Sequence, residues 1–188
     1  MRNLIILITL TFSLTGCIFV AGAAAGAAGI AVVYDHRKLE KIMEDQKIAN
    51  TIAEKINASP ELRNSHIEIS CFNQIILLTG ETISDELRHQ AGDIAQNVPN
   101  VTRVYNEITI KGPTSSLTRA SDSWITAKIK TQMLATKGLK SGTIKVVTEN
   151  GSVYLMGIVS KRQAEISVYI ARQVSGVQRV VKIFRYTD

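Results

Sequence analysis

The chain has 188 residues, 45% of them hydrophobic, which suggests one or two domains with real cores. Its formal net charge is +6, yet only 5% of its residues are aromatic, which argues against nucleic acid as a partner. His36, His66 and His89 are scattered at no metal-ligand spacing, and there is no nucleophile elbow. An enzyme is therefore not expected, nor is a metal or a cofactor.

The N-terminus reads as an address. Arg2 is a short basic start, the apolar run from Leu4 to Leu14 is too short to span a bilayer comfortably, and Leu14-Thr15-Gly16-Cys17 follows it directly. This arrangement resembles a bacterial lipoprotein signal. The resemblance implies cleavage of residues 1–16 and acylation of Cys17 as the new N-terminus. Ile18 follows the cysteine rather than an Asp, so it also implies the outer membrane. With Cys17 modified, Cys71 has no partner for a disulfide and continues the inward alternation of Ile67 and Ile69 as a small buried residue.

Residues 17–44 begin with an Ala/Gly-rich tract containing Gly22, Gly26 and Gly29. No strand precedes these glycines and no Lys-Ser/Thr follows, so they are not a phosphate loop. Two readings stay open. The tract is either an apolar, close-packing segment at the lipid surface or a weakly ordered tether. From Asp35 onward charges appear and the soluble part begins.

An internal repeat organises the rest. Asp45, Ile48, Ile52 and Ile56 recur as Asp122, Ile125, Ile129 and Met133; Ile67-x-Ile69 recurs as Ile144-x-Val146; Leu77-x-x-Gly80 recurs as Tyr154-x-x-Gly157. Ile94-Ala95, Val98, Val101 and Val104 then match Ile170-Ala171, Val174, Val177 and Val180. The uncharged, turn-forming Gly112 to Ser116 marks the boundary. The pattern divides the chain into a first domain over 45–112, a linker over 113–121 and a second domain over 122–188, each expected to form its own core.

Each unit reads helix, strand, strand, helix, strand. Asn150-Gly151 is a two-residue hairpin signal, Ser160 to Gln163 a capping box, and Ser84-Asp85-Glu86 a helix start suited to the dipole. Gly80 and Gly157, read as closing the second strand, are expected to serve close approach or positive φ. The order, the two glycines, the Ile-Ala-x-x-Val of the second helix, and Pro99-Asn100-Val101 or Ser175-Gly176-Val177 resemble the BON domain of bacterial envelope proteins. The resemblance implies an α/β (α+β) architecture of two tandem αββαβ units, each a small three-stranded mixed sheet against two helices. With the lipoprotein signal in front, it implies a dual-BON-domain lipoprotein of the outer membrane, on its periplasmic face.

The two copies differ where the fold does not require it. Residues 45–112 hold six Lys/Arg against nine Asp/Glu, net −3, whereas 115–188 hold twelve against four, net +8. In the helix around Trp124, the residues Trp124, Ala127, Thr131 and Leu134 form a second stripe opposite the core stripe, with Lys128 and Lys130 on its two sides. The first copy has Lys47, Asn50, Glu54 and Asn57 there, all polar. An apolar strip between cations suits a helix at an anionic surface, and phospholipid binding through it is also what the resemblance implies. A structural or regulatory adaptor that docks an acidic envelope or division-site protein is the competing expectation, since Trp with flanking Lys would serve either partner. Trp124 could instead pack between the two domains.

Overall fold

The computed structural model describes residues 37–112 and 114–187. The leader, Cys17, the Ala/Gly tract and His36 lie outside the described residues. The described chain runs α1 (Leu39–Ala58), β1 (His66–Phe72), β2 (Ile75–Thr82), α2 (Asp85–Gln96), β3 (Arg103–Asn106), β4 (Thr109–Ile110), α3 (Ser116–Ala135), β5 (Ile144–Glu149), β6 (Ser152–Val159), α4 (Lys161–Arg172) and β7 (Arg179–Tyr186). In both halves the first two strands are antiparallel and the last strand returns parallel to the middle one, giving the orders β1-β2-β3 and β5-β6-β7. The parallel return follows from the helix crossover between the second and last strands.

Both first helices begin six residues before the repeated aspartate, at Leu39 and Ser116, in stretches that read as tether and linker. Ser115 starts the second by accepting the Thr118 amide at 3.2 Å. Ile48, Ile52 and Ile56 on α1, and Ile125, Ile129 and Met133 on α3, are buried against the inner faces of their sheets. The aspartates themselves are buried. The Asp122 carboxylate accepts the amides of Asn150 and Gly151 at 2.8 and 2.9 Å, and Asp45 accepts those of Asn73 and Gln74 at 2.7 and 2.9 Å. Each helix thus clamps the hairpin turn of its own sheet. Both turns need positive φ at their two central residues, 52° and 64° at Asn73 and Gln74, 49° and 70° at Asn150 and Gly151.

Three local expectations are corrected. The last strand of the first sheet is broken, so that sheet has four strands: the Asn106 side chain donates to Arg88 O at 2.7 Å, Ile108 turns into the core, and pairing to β2 resumes at Thr109. Gly80 and Gly157 do not close the second strands, which run on to Thr82 and Val159. Their role is close approach: a Cβ at Gly80 (φ +108°) would lie 2.0 Å from His66 O, and one at Gly157 2.8 Å from Thr143 O. The capping box is half made, since Ser160 accepts the Gln163 amide but the Gln163 side chain bridges Gly138 O and Lys140 N instead.

Each half has its own core, with a third cluster between them. Phe72, Ile75, Leu77 and Tyr105 on the outer face of the first sheet pack with Val147, Tyr154, Met156, Ile158, Val181 and Ile183 on the outer face of the second. Polar contacts border this cluster: Lys145 Nζ donates to Cys71 O at 3.2 Å, and Arg179 to Glu107 Oε2 at 3.2 Å. The middle strands are therefore covered on both faces, which is why Ile76-Leu77-Leu78 and Val153 to Met156 are uninterrupted apolar runs.

Candidate functional site

Helix α3 buries one face and leaves the other free. Trp124 is 54% exposed and Leu134 49%, and Ala127, Lys128, Lys130 and Thr131 are exposed as well. All six residues of the strip thus sit on the side of the helix turned away from the sheet. Trp124 is not part of the cluster between the domains. The Thr131 hydroxyl donates to the Ala127 carbonyl at 2.9 Å, so its polar atom is satisfied within the helix and its methyl is left to the surface.

The strip is longer than the spacing from Trp124 onward suggested. Leu117, 79% exposed, lies seven residues before Trp124, and exposed Ala120 lies four before it, both on the same side. Arg119, also exposed, adds a cation on the Lys130 side. The signal for these residues was the same helical period. It was missed because residues 113–121 read as a linker.

The sister helix provides the contrast. Lys47, Asn50, Glu54 and Asn57 are equally exposed on α1. At these four positions two helices of 20 residues with the same core stripe and the same clamped aspartate thus present opposite surfaces, while the first turns of both expose apolar side chains, Leu39 and Met43 on α1 and Leu117 on α3. An exposed tryptophan and two leucines have no part in holding the helix, because the sister is built without them.

A model of the BON domain matches residues 44–112 and again residues 121–188. The chain belongs to the BON-domain family. Over its full length it is 30% identical to the outer membrane lipoprotein DolP of Haemophilus influenzae, covering 97% of that protein. The 21 kDa hemolysin of Actinobacillus pleuropneumoniae is 31% identical over 82% of this chain and 80% of its own length. The osmotically-inducible protein Y of Escherichia coli is 26% identical over 82% of this chain and 78% of its own.

Cys71 is buried, and desolvation together with the Asp45 carboxylate, to which its thiol donates at 3.3 Å, pushes it up to about 12. A thiol held protonated in this way is a poor nucleophile, in keeping with its reading as a small core residue. His89 is exposed, 3.2 Å from Asp85 on the same helix. Among the described residues, no helix is long and apolar enough to cross a membrane.

Proposed function

We propose that this protein is an outer-membrane lipoprotein, held on the periplasmic face by acylated Cys17, whose second BON domain docks on anionic phospholipid through the outer face of α3 and so supports envelope integrity. It works by binding rather than by catalysis. The observation that carries this reading is the exposed strip of Trp124, Ala127, Thr131 and Leu134 between Lys128 and Lys130, on a helix whose sister has only polar residues there. Similarity to a named outer membrane lipoprotein over the whole chain supports the address. A chain already anchored at a membrane needs only a weak second contact, because tethering raises its effective concentration.

The test is flotation of the full chain with vesicles of phosphatidylglycerol and phosphatidylcholine, against vesicles of phosphatidylcholine alone. Burying the indole contributes about 1–3 kcal/mol, and each lysine near an anionic surface about 1 kcal/mol. Trp124→Glu should therefore reduce binding to the anionic vesicles at least tenfold, and Lys128→Thr, the residue of the sister helix, roughly fivefold. Raising the salt should remove most of the lysine effect and spare the tryptophan effect. Trp124→Glu should still fold, since Lys47 stands at that position in α1. Undiminished binding by a folded Trp124→Glu chain would refute the lipid face and leave an acidic envelope protein as the partner.

A further inference from the structure

His66 stands at the start of β1 and pairs across the ladder with Glu81 of β2. Both face the second domain. The Glu81 carboxylate, only 1% exposed, accepts from Asn150 Nδ2 in the hairpin of the second domain at 2.6 Å, from the Thr114 hydroxyl, and from the Thr114 amide at 3.3 Å. The same Asn150 Nδ2 donates to Glu149 Oε1 at 3.1 Å. Two buried carboxylates from different domains thus share one amide donor. A ring nitrogen of His66 and one oxygen each of Glu81 and Glu149 lie within 4.8 Å of one another. His66 Nε2 is buried and makes no hydrogen bond, its nearest ionic neighbour being Glu68 Oε1 at 3.7 Å.

Two independent features set this cluster apart from an ordinary polar contact. Glu149 has Glu68 and Asp122 as acidic neighbours besides Glu81, while Lys111 stands 3.8 Å from Glu81. Buried carboxylates in such surplus draw a cation, and a buried imidazole nitrogen without a donor offers a lone pair to one. The repeat supplies the second feature. By its alignment the second domain has Thr143 and Ile158 in place of His66 and Glu81, and the first has Phe72 in place of Glu149. The fold can be built without any of the three.

We propose that His66, Glu81 and Glu149 form a divalent-cation site of the zinc type, bridging the two domains. One imidazole nitrogen and two carboxylate oxygens suit zinc, with a water completing the tetrahedron, better than calcium or magnesium, which favour oxygen donors throughout. Bonds of about 2.1 Å to a tetrahedral ion place donor atoms roughly 3.4 Å apart, within reach of small side-chain movements from a cluster that already lies within 4.8 Å. Because Glu149 comes from β5 and the other two from β1 and β2, the ion ties one BON domain to the other.

The probe is zinc chloride, titrated by calorimetry into the untagged full chain in detergent after chelator treatment, with magnesium chloride alongside. One zinc per chain should bind in the low micromolar range or tighter and raise the unfolding temperature, with magnesium at least tenfold weaker. His66→Thr and Glu149→Gln should each weaken zinc binding tenfold or more, while His89→Thr leaves it unchanged. Circular dichroism establishes that each variant is folded, and the isosteric Glu149→Gln carries the test where His66→Thr does not fold. No zinc binding by the parent up to about 100 µM, or parental affinity in folded Glu149→Gln, would overturn the site.

Discussion

The two BON domains are built on one plan and put to different use. Helices α1 and α3 bury the same stripe and clamp the same hairpin, yet one shows solvent Lys47, Asn50, Glu54 and Asn57 and the other Trp124, Ala127, Thr131 and Leu134. The charge follows the same division, net −3 in residues 45–112 and net +8 in residues 115–188. A repeat is thus its own control: what both copies keep holds the fold, and what only one keeps is free to serve a partner. By that test the aspartate clamp and the strand glycines are structural.

The glycines give the largest expected effect. Gly80 combines φ +108° with a hypothetical Cβ 2.0 Å from His66 O, whereas Gly157 meets Thr143 O at 2.8 Å with no positive φ. Overpacking against a backbone atom and a left-handed conformation both weigh on Gly80→Ala, which should lose at least about 3 kcal/mol. Gly157→Ala should lose about 1–2 kcal/mol less, since only the close approach applies. Urea unfolding of the two full-length variants measures the difference, and equal losses would mean that neither the closer approach nor the backbone conformation adds anything at Gly80.

The aspartate clamp of the first domain ties stability to pH. Burial works against the charge of Asp45, but the amides of Gln74 and Asn73, the Arg37 guanidinium and the Cys71 thiol together outweigh it and hold the carboxyl below its ordinary value. A folded-state value below the unfolded one means that the stabilisation is complete above the ordinary aspartate range and is lost as pH falls through the depressed value. Asp45→Ala leaves the part-buried amides of Asn73 and Gln74 without their acceptor and should lose about 2–3 kcal/mol near neutral pH. The same variant should flatten the acid limb of the stability profile followed by urea unfolding between pH 6 and 2. An unchanged acid limb would place the responsible carboxylate elsewhere.

Much of this architecture was legible, and the omissions have physical causes. The repeat, the helix stripes and the Asn150-Gly151 turn rest on local periodicity and turn chemistry, which the chain displays directly. The break at Asn106 could not be read, because it depends on a side chain reaching Arg88 O eighteen residues away. Contact between the two sheets was readable but passed over: Ile76-Leu77-Leu78 and Val153 to Met156 are runs without alternation, the pattern of strands covered on both faces. The exposed strip on α3 was legible through its period alone, yet Leu117 and Ala120 were lost to a linker that begins to coil into helix at Ser116. His66 gave no signal at all, since the residues near it come from the neighbouring strand and from the other domain.

The smallest expected effect lies in the hairpin turns. Both central positions take positive φ, but the second copy has glycine at the second of them, Gly151, where the first has Gln74 at 64°. A left-handed conformation costs a side-chain-bearing residue about 1–2 kcal/mol relative to glycine. Against this, Gln74→Gly removes the bond from Gln74 Nε2 to Glu44 Oε1 at 2.8 Å and frees the unfolded chain. A part-buried side-chain hydrogen bond and the added entropy together offset about 1 kcal/mol. The Asp45 clamp uses the amide of residue 74, which glycine keeps. Gln74→Gly should therefore stabilise the chain by about 0.5 kcal/mol or leave it unchanged, seen as a small rise in the urea midpoint with the same slope. A loss of 1 kcal/mol or more would mean that the bond to Glu44 anchors the turn to α1, and that the two hairpins are held by different means despite their common clamp.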